Sequence, residues 1–191
     1  MKYWPIPNSH PRSLPTPGER GSFWEDRGDR RHAGIDLYAP PGTPVVAVED
    51  GLVVEVQVFT SPEVRSYWNV TCSILIQNGT GQVCRYAELG EACVQTGQSV
   101  TAGQVIGTVG LVLNYDCIND AAPAYIRRLK HASSGSMLHF ELHSRQPETG
   151  STYLGGNYFL DRPPEGLLDP SPYLMEAISA PDPFRFPQEV P

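Results

Sequence analysis

His32 and Asp36 stand four residues apart in the stretch RRHAGIDLYAPPGTPVVAVEDG, and MLHFELH later places His139 and His143 at the same spacing. Imidazole nitrogen and carboxylate oxygen are the donors that a borderline divalent cation accepts, so the chemistry on offer is metal binding. Backbone geometry restricts how it can arise. A helix would put positions four apart on one face, yet Gly34, the β-branched Ile35 and the following Ala-Pro-Pro-Gly argue against a helix. A fully extended chain would separate the Cα atoms of His32 and Asp36 by roughly 13 Å, too far to share one small ion. The H-x-G-x-D motif therefore needs a bend, for which Gly34 offers backbone freedom. Taken alone, the pair fits an exposed loop histidine beside a turn aspartate better than a metal clip.

The elements that must position these groups are mostly strands. Between Pro44 and Leu89 run VVAV, the turn EDG, LVVEVQVF, a loop with SPEVRS, NVTCSILIQ, the turn NGTG and QVCRYAEL, a series of antiparallel hairpins. CVQTGQSVTAGQVIGTVG then repeats a G-Q-x-[VI] unit at Gly97 and Gly103, which predicts short strands and tight corners at a sheet edge. Residues 111–136 interrupt this pattern. There DAAPAYIRRLKHA, with Pro123 near a first turn and bases toward its end, predicts a short helix in a loop that walls a cleft. In MLHFELH, Leu138, Phe140 and Leu142 alternate with Met137, His139, Glu141 and His143, so one face enters the core and the other carries the polar groups. LLDPSPYLMEA predicts a helix beginning near Ser171 and Pro172.

The 191 residues are read as a proline-rich arm over 1–22, one domain over 23–180 and a proline-rich tail over 181–191. A net charge of −7, with lysine only at positions 2 and 130, leaves no basic stripe for a nucleic-acid backbone. No apolar run approaches the roughly 18 residues of a transmembrane segment, and MKYWPIPNSHPRSLPTPG lacks the apolar stretch of a signal peptide. Cys72, Cys84, Cys93 and Cys117 have no C-x-x-C spacing, which disfavours a thiolate metal site. Cys72 and Cys84 flank the turn QNGTGQ and are expected either as a bridge in an oxidising compartment or as buried thiols.

Over roughly residues 20–145, the segments HAGIDLYAPPGTPVVAVEDGLV, CRYAEL, VQTGQSVTAGQVIGTVG and LHFEL resemble the lysostaphin and LytM type of zinc metalloendopeptidase, the peptidoglycan-cutting family. The resemblance implies a mainly β domain, an antiparallel sheet or sandwich of the LytM duplicated-hairpin type with short helices in its loops. It implies one zinc ion on His32, Asp36 and His139, with a fourth tetrahedral position left for water. Peptidoglycan peptides as partners and an extracytoplasmic home, in periplasm or cell envelope, follow from the same likeness. Two departures matter. Glu88 stands after the strand RYAEL where the family has a histidine, and Met137 replaces the first histidine of H-x-H. In the family those histidines handle protons and stabilise an oxyanion, which a thioether cannot do. Glu88 is the expected catalytic residue, as general base, although an ionised carboxylate cannot donate to an oxyanion. One missing donor typically costs about 2.7–4 kcal/mol of transition-state stabilisation. Tyr86, on the same strand face as Glu88, is expected with Met137 to line the substrate groove.

Among the other histidines, His143 lies roughly 13 Å along the strand from His139 and reads as a rim residue. His131 sits where its loop could fold over the site, and His10 reads as exposed in the arm. Two functions are therefore weighed: a zinc endopeptidase with altered or reduced catalysis, and a non-catalytic zinc-stabilised module that binds wall peptides or a partner protein. A third likeness, of AVEDGLVVEV and VQTGQSVTAGQVIG to lipoyl and biotinyl carrier hairpins, lacks the hairpin-tip lysine on which such carriers hold their cofactor.

Overall fold

The computed structural model describes residues 1–7, 14–131, 135–148 and 150–179. His10, the 181–191 tail and the side chain of His131 lie outside these residues. The strands are β1 (Arg31–His32), β2 (Ile35–Tyr38), β3 (Pro44–Val46), β4 (Gly51–Thr60), β5 (Thr71–Asn78), β6 (Val83–Ala92), β7 (Ser99–Val100) and β8 (Val105–Leu111). After a 3-10 turn at Tyr115–Cys117 come α1 (Ala124–His131), β9 (Ser136–His143), β10 (Tyr153–Leu154), β11 (Asn157–Tyr158), β12 (Leu167–Leu168) and α2 (Pro170–Met175). Pairings between these strands are antiparallel, and the mainly β architecture expected from the sequence is what the chain adopts.

The long meander β4–β5–β6 follows from alternating β-branched residues punctuated by turn chemistry. At the β5–β6 turn, Asn78 Oδ1 accepts from the backbone N–H of Thr80 and Gln82, and Gly81 supplies φ 88°, a conformation that suits glycine. Gly97 and Gly103 likewise have φ of 87° and 82° at the expected corners.

Strand β9 is the spine of the domain. Along one edge it pairs with β2 and then β12; along the other it pairs with β8 and then β6. Its alternation is obeyed. Leu138, Phe140 and Leu142 enter a core with Ile35, Ile74 and Leu89. Trp4 and Ile6 from the N-terminal arm join that core, and Tyr3 bridges to Ile178, so residues 1–7 are laid on the domain. Cys72 pairs with Leu89 and Cys84 with Ile76 in the β5–β6 ladder, an offset that keeps them apart, and all four cysteines are free thiols.

Strand β6 changes partner midway. Val83 to Ala87 run beside β9, whereas Leu89 to Ala92 run beside β8. Glu88 stands at the fork with φ 63°, a left-handed conformation uncommon for a residue with a side chain. Backbones are tight there: a Cβ on Gly110 would lie 2.7 Å from the Glu88 carbonyl oxygen.

Candidate metal centre

The β2–β9 register sets Asp36 directly opposite His139, and the β6–β9 register sets Ala87 on the other side of His139. Three adjacent strands thus present one row of side chains on the same face, and the small Ala87 leaves room beside the imidazole. His32 arrives from β1 by a bend at Gly34. The reason for glycine differs from the backbone freedom first expected: Gly34 has no left-handed φ, but a Cβ there would lie 2.2 Å from the Phe140 carbonyl oxygen. Glycine lets the chain cross close over β9.

His32 Nε2, Asp36 Oδ1 and His139 Nδ1 form a triangle with all three sides 3.0 Å. Ligands about 2.0–2.1 Å from a tetrahedral zinc would be separated by about 3.3 Å, so this donor set fits such an ion with little adjustment. Among the described residues, these three are the His, Cys, Asp and Glu side chains that cluster closely enough to share a metal.

Proton positions agree with that fit. The Ser22 carbonyl, 2.8 Å from His32 Nδ1, can only accept, so in the neutral ring Nδ1 carries the hydrogen and Nε2 keeps its lone pair. Burial, reinforced by the Arg27 charge, lowers the pKa of His32 and keeps the ring neutral. For His139, burial pulls downward, but hydrogen bonds to Asp36 and Glu141 win and raise it to about 9. His139 would hold a metal through Nδ1 once that nitrogen is deprotonated, and its Nε2–H is held on Glu141 Oε1 at 2.9 Å. Asp36 is held well below the usual carboxylate range: burial opposes ionisation, and His32, His139 and Arg27 outweigh it.

A surrounding set of charges was not anticipated from the sequence. Arg27 donates from Nη2 to Asp36 Oδ2 at 2.9 Å, pairs with Glu25 at 3.1 Å and reaches Asn157 Oδ1 at 3.2 Å. Nothing in the spacing of EDRGDRRH singles out Arg27 from its neighbours. Glu141 accepts from His139, His143 and Tyr153, and Arg85 lies 3.1 Å from its Oε2. Its position on the polar face of MLHFELH was the available signal. His143 is therefore no rim residue: it is 2% exposed and tied through Glu141 to His139. Gly156 lies against His139, since a Cβ there would meet the ring at 2.8 Å.

Tyr86 is not at the site. It is 1% exposed in the core, edge-on to Phe140, with its hydroxyl accepting from the Val48 N–H. Tyr86 keeps the core face of β6, whereas the left-handed turn at Glu88 carries that side chain to the pocket with Asp36 and Met137. Strict alternation fails at the fork. Burial, aided by the Asp36 charge, pushes the Glu88 carboxyl up to about 8, and its Oε2 has no hydrogen-bond partner.

An antiparallel β domain with a buried His–Asp–His cluster on one sheet face has the build of a metallopeptidase. The chain belongs to Peptidase family M23, whose sequence profile matches residues 30–150. It is 35% identical over 107 residues to the uncharacterized lipoprotein YgeR of Escherichia coli K12, spanning 51% of this chain and 40% of that protein. To the peptidoglycan DD-endopeptidase ShyC of Vibrio cholerae it is 34% identical over 82 residues, 42% of this chain and 17% of ShyC. The chain thus spans less than half the length of these relatives. The catalytic domain of lysostaphin from Staphylococcus simulans superposes with a TM-score of 0.51 at 22% identity, over 83% of this chain and 91% of that one. A chain from the SpoIIIAH–SpoIIQ complex gives 0.52 at 18% identity, over 91% and 99%. These structural likenesses establish the fold. No helix among the described residues is long and apolar enough to cross a membrane.

Proposed function

We propose that the chain is a zinc-dependent endopeptidase domain, extending over about residues 23–180, that acts on peptidoglycan peptide cross-links outside the cytoplasm. Membership of the M23 family and the relationship to a peptidoglycan DD-endopeptidase support the reaction class. The lipoprotein relative supports the compartment. The observation that carries the metal is the 3.0 Å triangle of His32 Nε2, Asp36 Oδ1 and His139 Nδ1 with its tautomers already oriented by Ser22 and Glu141.

Bound zinc would supply Lewis acidity and bring the pKa of water from 15.7 toward about 7. The protein's part is to hold the ligands and move protons. Arg27 fixes the outer oxygen of Asp36, and Glu141 fixes the ring of His139. Glu88, with a carboxyl oxygen free of internal partners, takes the proton from the attacking water as general base in its ionised form, which grows as pH rises through about 8. Met137 offers only an apolar wall to the same pocket.

A second reading rests on a specific observation. His32, Asp36, His139 and Glu88 are all nearly or fully buried, and the two helper histidines are replaced, which suits a zinc-stabilised module that binds peptides or a protein partner without turnover. Assay of purified peptidoglycan with and without added zinc separates the two. Zinc-dependent release of new peptide ends supports the enzyme; binding of zinc at about one equivalent with no cleavage supports the module.

A further inference from the structure

The route to the candidate metal centre is closed by a part of the chain that belongs to neither the sheet nor its core. The pocket that reaches Asp36 and Glu88 is walled by Trp68, Leu113, Tyr125, Ile126, Leu129 and Met137. His32, Asp36 and His139 are 0%, 5% and 1% exposed, so a peptide in any position leaves them untouched. We propose that residues 112–131 form a lid over this centre, and that substrate reaches Glu88 and the ligand triad only when the lid lifts. This rests on the metal reading given above.

The lid is built as a separate unit. Its apolar side chains, with Tyr67 and Trp68 from the preceding loop, form a cluster of their own around Leu113, Ile118, Tyr125 and Ile126, distinct from the core beneath β9. Its polar contacts are largely internal: Asp116 N–H to Asn114 Oδ1, Arg127 Nη1 to the Asp120 carbonyl and Lys130 Nζ to the Ile118 carbonyl. Its base is pinched shut. Leu111 pairs with Ser136, and Val112 N–H donates to the Gly135 carbonyl at 2.8 Å, so the excursion leaves and re-enters the sheet at one point. Movement of the lid leaves the pairings of β6, β8 and β9 in place and breaks the antiparallel bridge of Leu113 with Trp68 beside its base.

What holds it down is modest. The Tyr125 ring faces the guanidinium groups of Arg27 at 5.2 Å and Arg30 at 5.6 Å, and Asn114 N–H donates to the Tyr67 carbonyl. Helix α1 has eight residues, below the roughly 12–15 at which an isolated helix persists in water, so its order depends on this docking. Segments packed outside the main core can open as separate units at a lower free energy than core strands, and closing lids commonly act at enzyme sites.

Two measurements test the lid on the full chain. Ile126→Glu with Leu129→Glu places charges on the docking face. Zinc-loaded variant, still carrying about one equivalent, should lose zinc to excess EDTA at least about ten-fold faster than wild type. An unchanged rate overturns the lid. Amide hydrogen exchange of the wild type supplies the second readout: Arg127 to His131 should exchange at least about ten-fold faster than the paired amides of β6 and β9. Equal protection overturns the lid whether or not the variant folds. Failure of wild type to take up zinc would instead defeat the metal centre, leaving hydrogen exchange to decide the lid by itself.

Discussion

Strand β9 and the residues 112–131 that cover it are held in place by different forces. On β9, the position of His139 is set by ladder hydrogen bonds to strands on both sides and then locked by Glu141, itself held well below the usual carboxylate range. Burial opposes that ionisation, but Arg85 and the imidazole hydrogen bonds overcome it. Past the Leu113–Trp68 bridge and the Asn114 N–H to Tyr67 carbonyl bond beside its base, the cover is fixed by apolar contact and two cation–aromatic faces. Directional bonds fix atoms to fractions of an ångström, which a ligand triangle demands; non-directional contacts fix a surface, which can reseat. The floor thus holds the candidate ligands by directional bonds, and the cover, proposed above as a lid, lies over them by softer contact.

The largest expected effect comes from breaking the floor. His139→Ala or Asp36→Ala should reduce bound zinc from about one equivalent to far below it while leaving the far-UV spectrum largely unchanged, by metal analysis and circular dichroism. Wild-type zinc content in either variant would show that the triangle is not the binding site. Next, Glu88→Gln should lower kcat on peptidoglycan by roughly a hundred-fold with zinc retained. Full activity in that variant rules out Glu88 as base, and loss of zinc would recast it as a ligand.

Smaller effects sharpen the contrast between the two regions. Gly34→Ala drives a methyl to 2.2 Å from the Phe140 carbonyl and should cost about 3 kcal/mol or more of global stability in urea titration. Leu129→Ala in the cover should leave the unfolding midpoint of the sheet nearly in place, because the cover lies outside the core cluster. Similar shifts from both substitutions would erase the distinction between floor and cover. Last, Cys84 reports on the core beneath β9. Burial pushes its thiol up to about 12, against about 8.5 for an unfolded cysteine. The thiolate is the reactive form, so Cys84 is protected from alkylation between those values in the native protein and exposed by unfolding. At pH 9, mass spectrometry should find the exposed Cys93 and Cys117 modified and Cys84 untouched.

The hairpin series from Pro44 to Leu89, the glycine corners, the helix before His131 and the inward face of MLHFELH were legible because each depends on residues within a few positions of one another. The grouping of His32, Asp36 and His139 was expected from likeness to a family pattern, and the structure brings the three side chains together. Tyr86 and Glu88 were misread as companions because period-two alternation assumes an unbroken strand, and β6 forks at the residue in question.

The sequence by itself determined the strands, their turns and the donor types available to a metal, since these follow from local sterics and side-chain chemistry along the covalent chain. Only the tertiary structure decided that Asp36 faces His139 across 103 residues, that Arg27 and Glu141 orient the pair, and that α1 lines the pocket reaching Asp36 and Glu88. Strand register, charge pairing in a buried site and the docking of a short helix are settled cooperatively by the whole fold, and no local spacing encodes them.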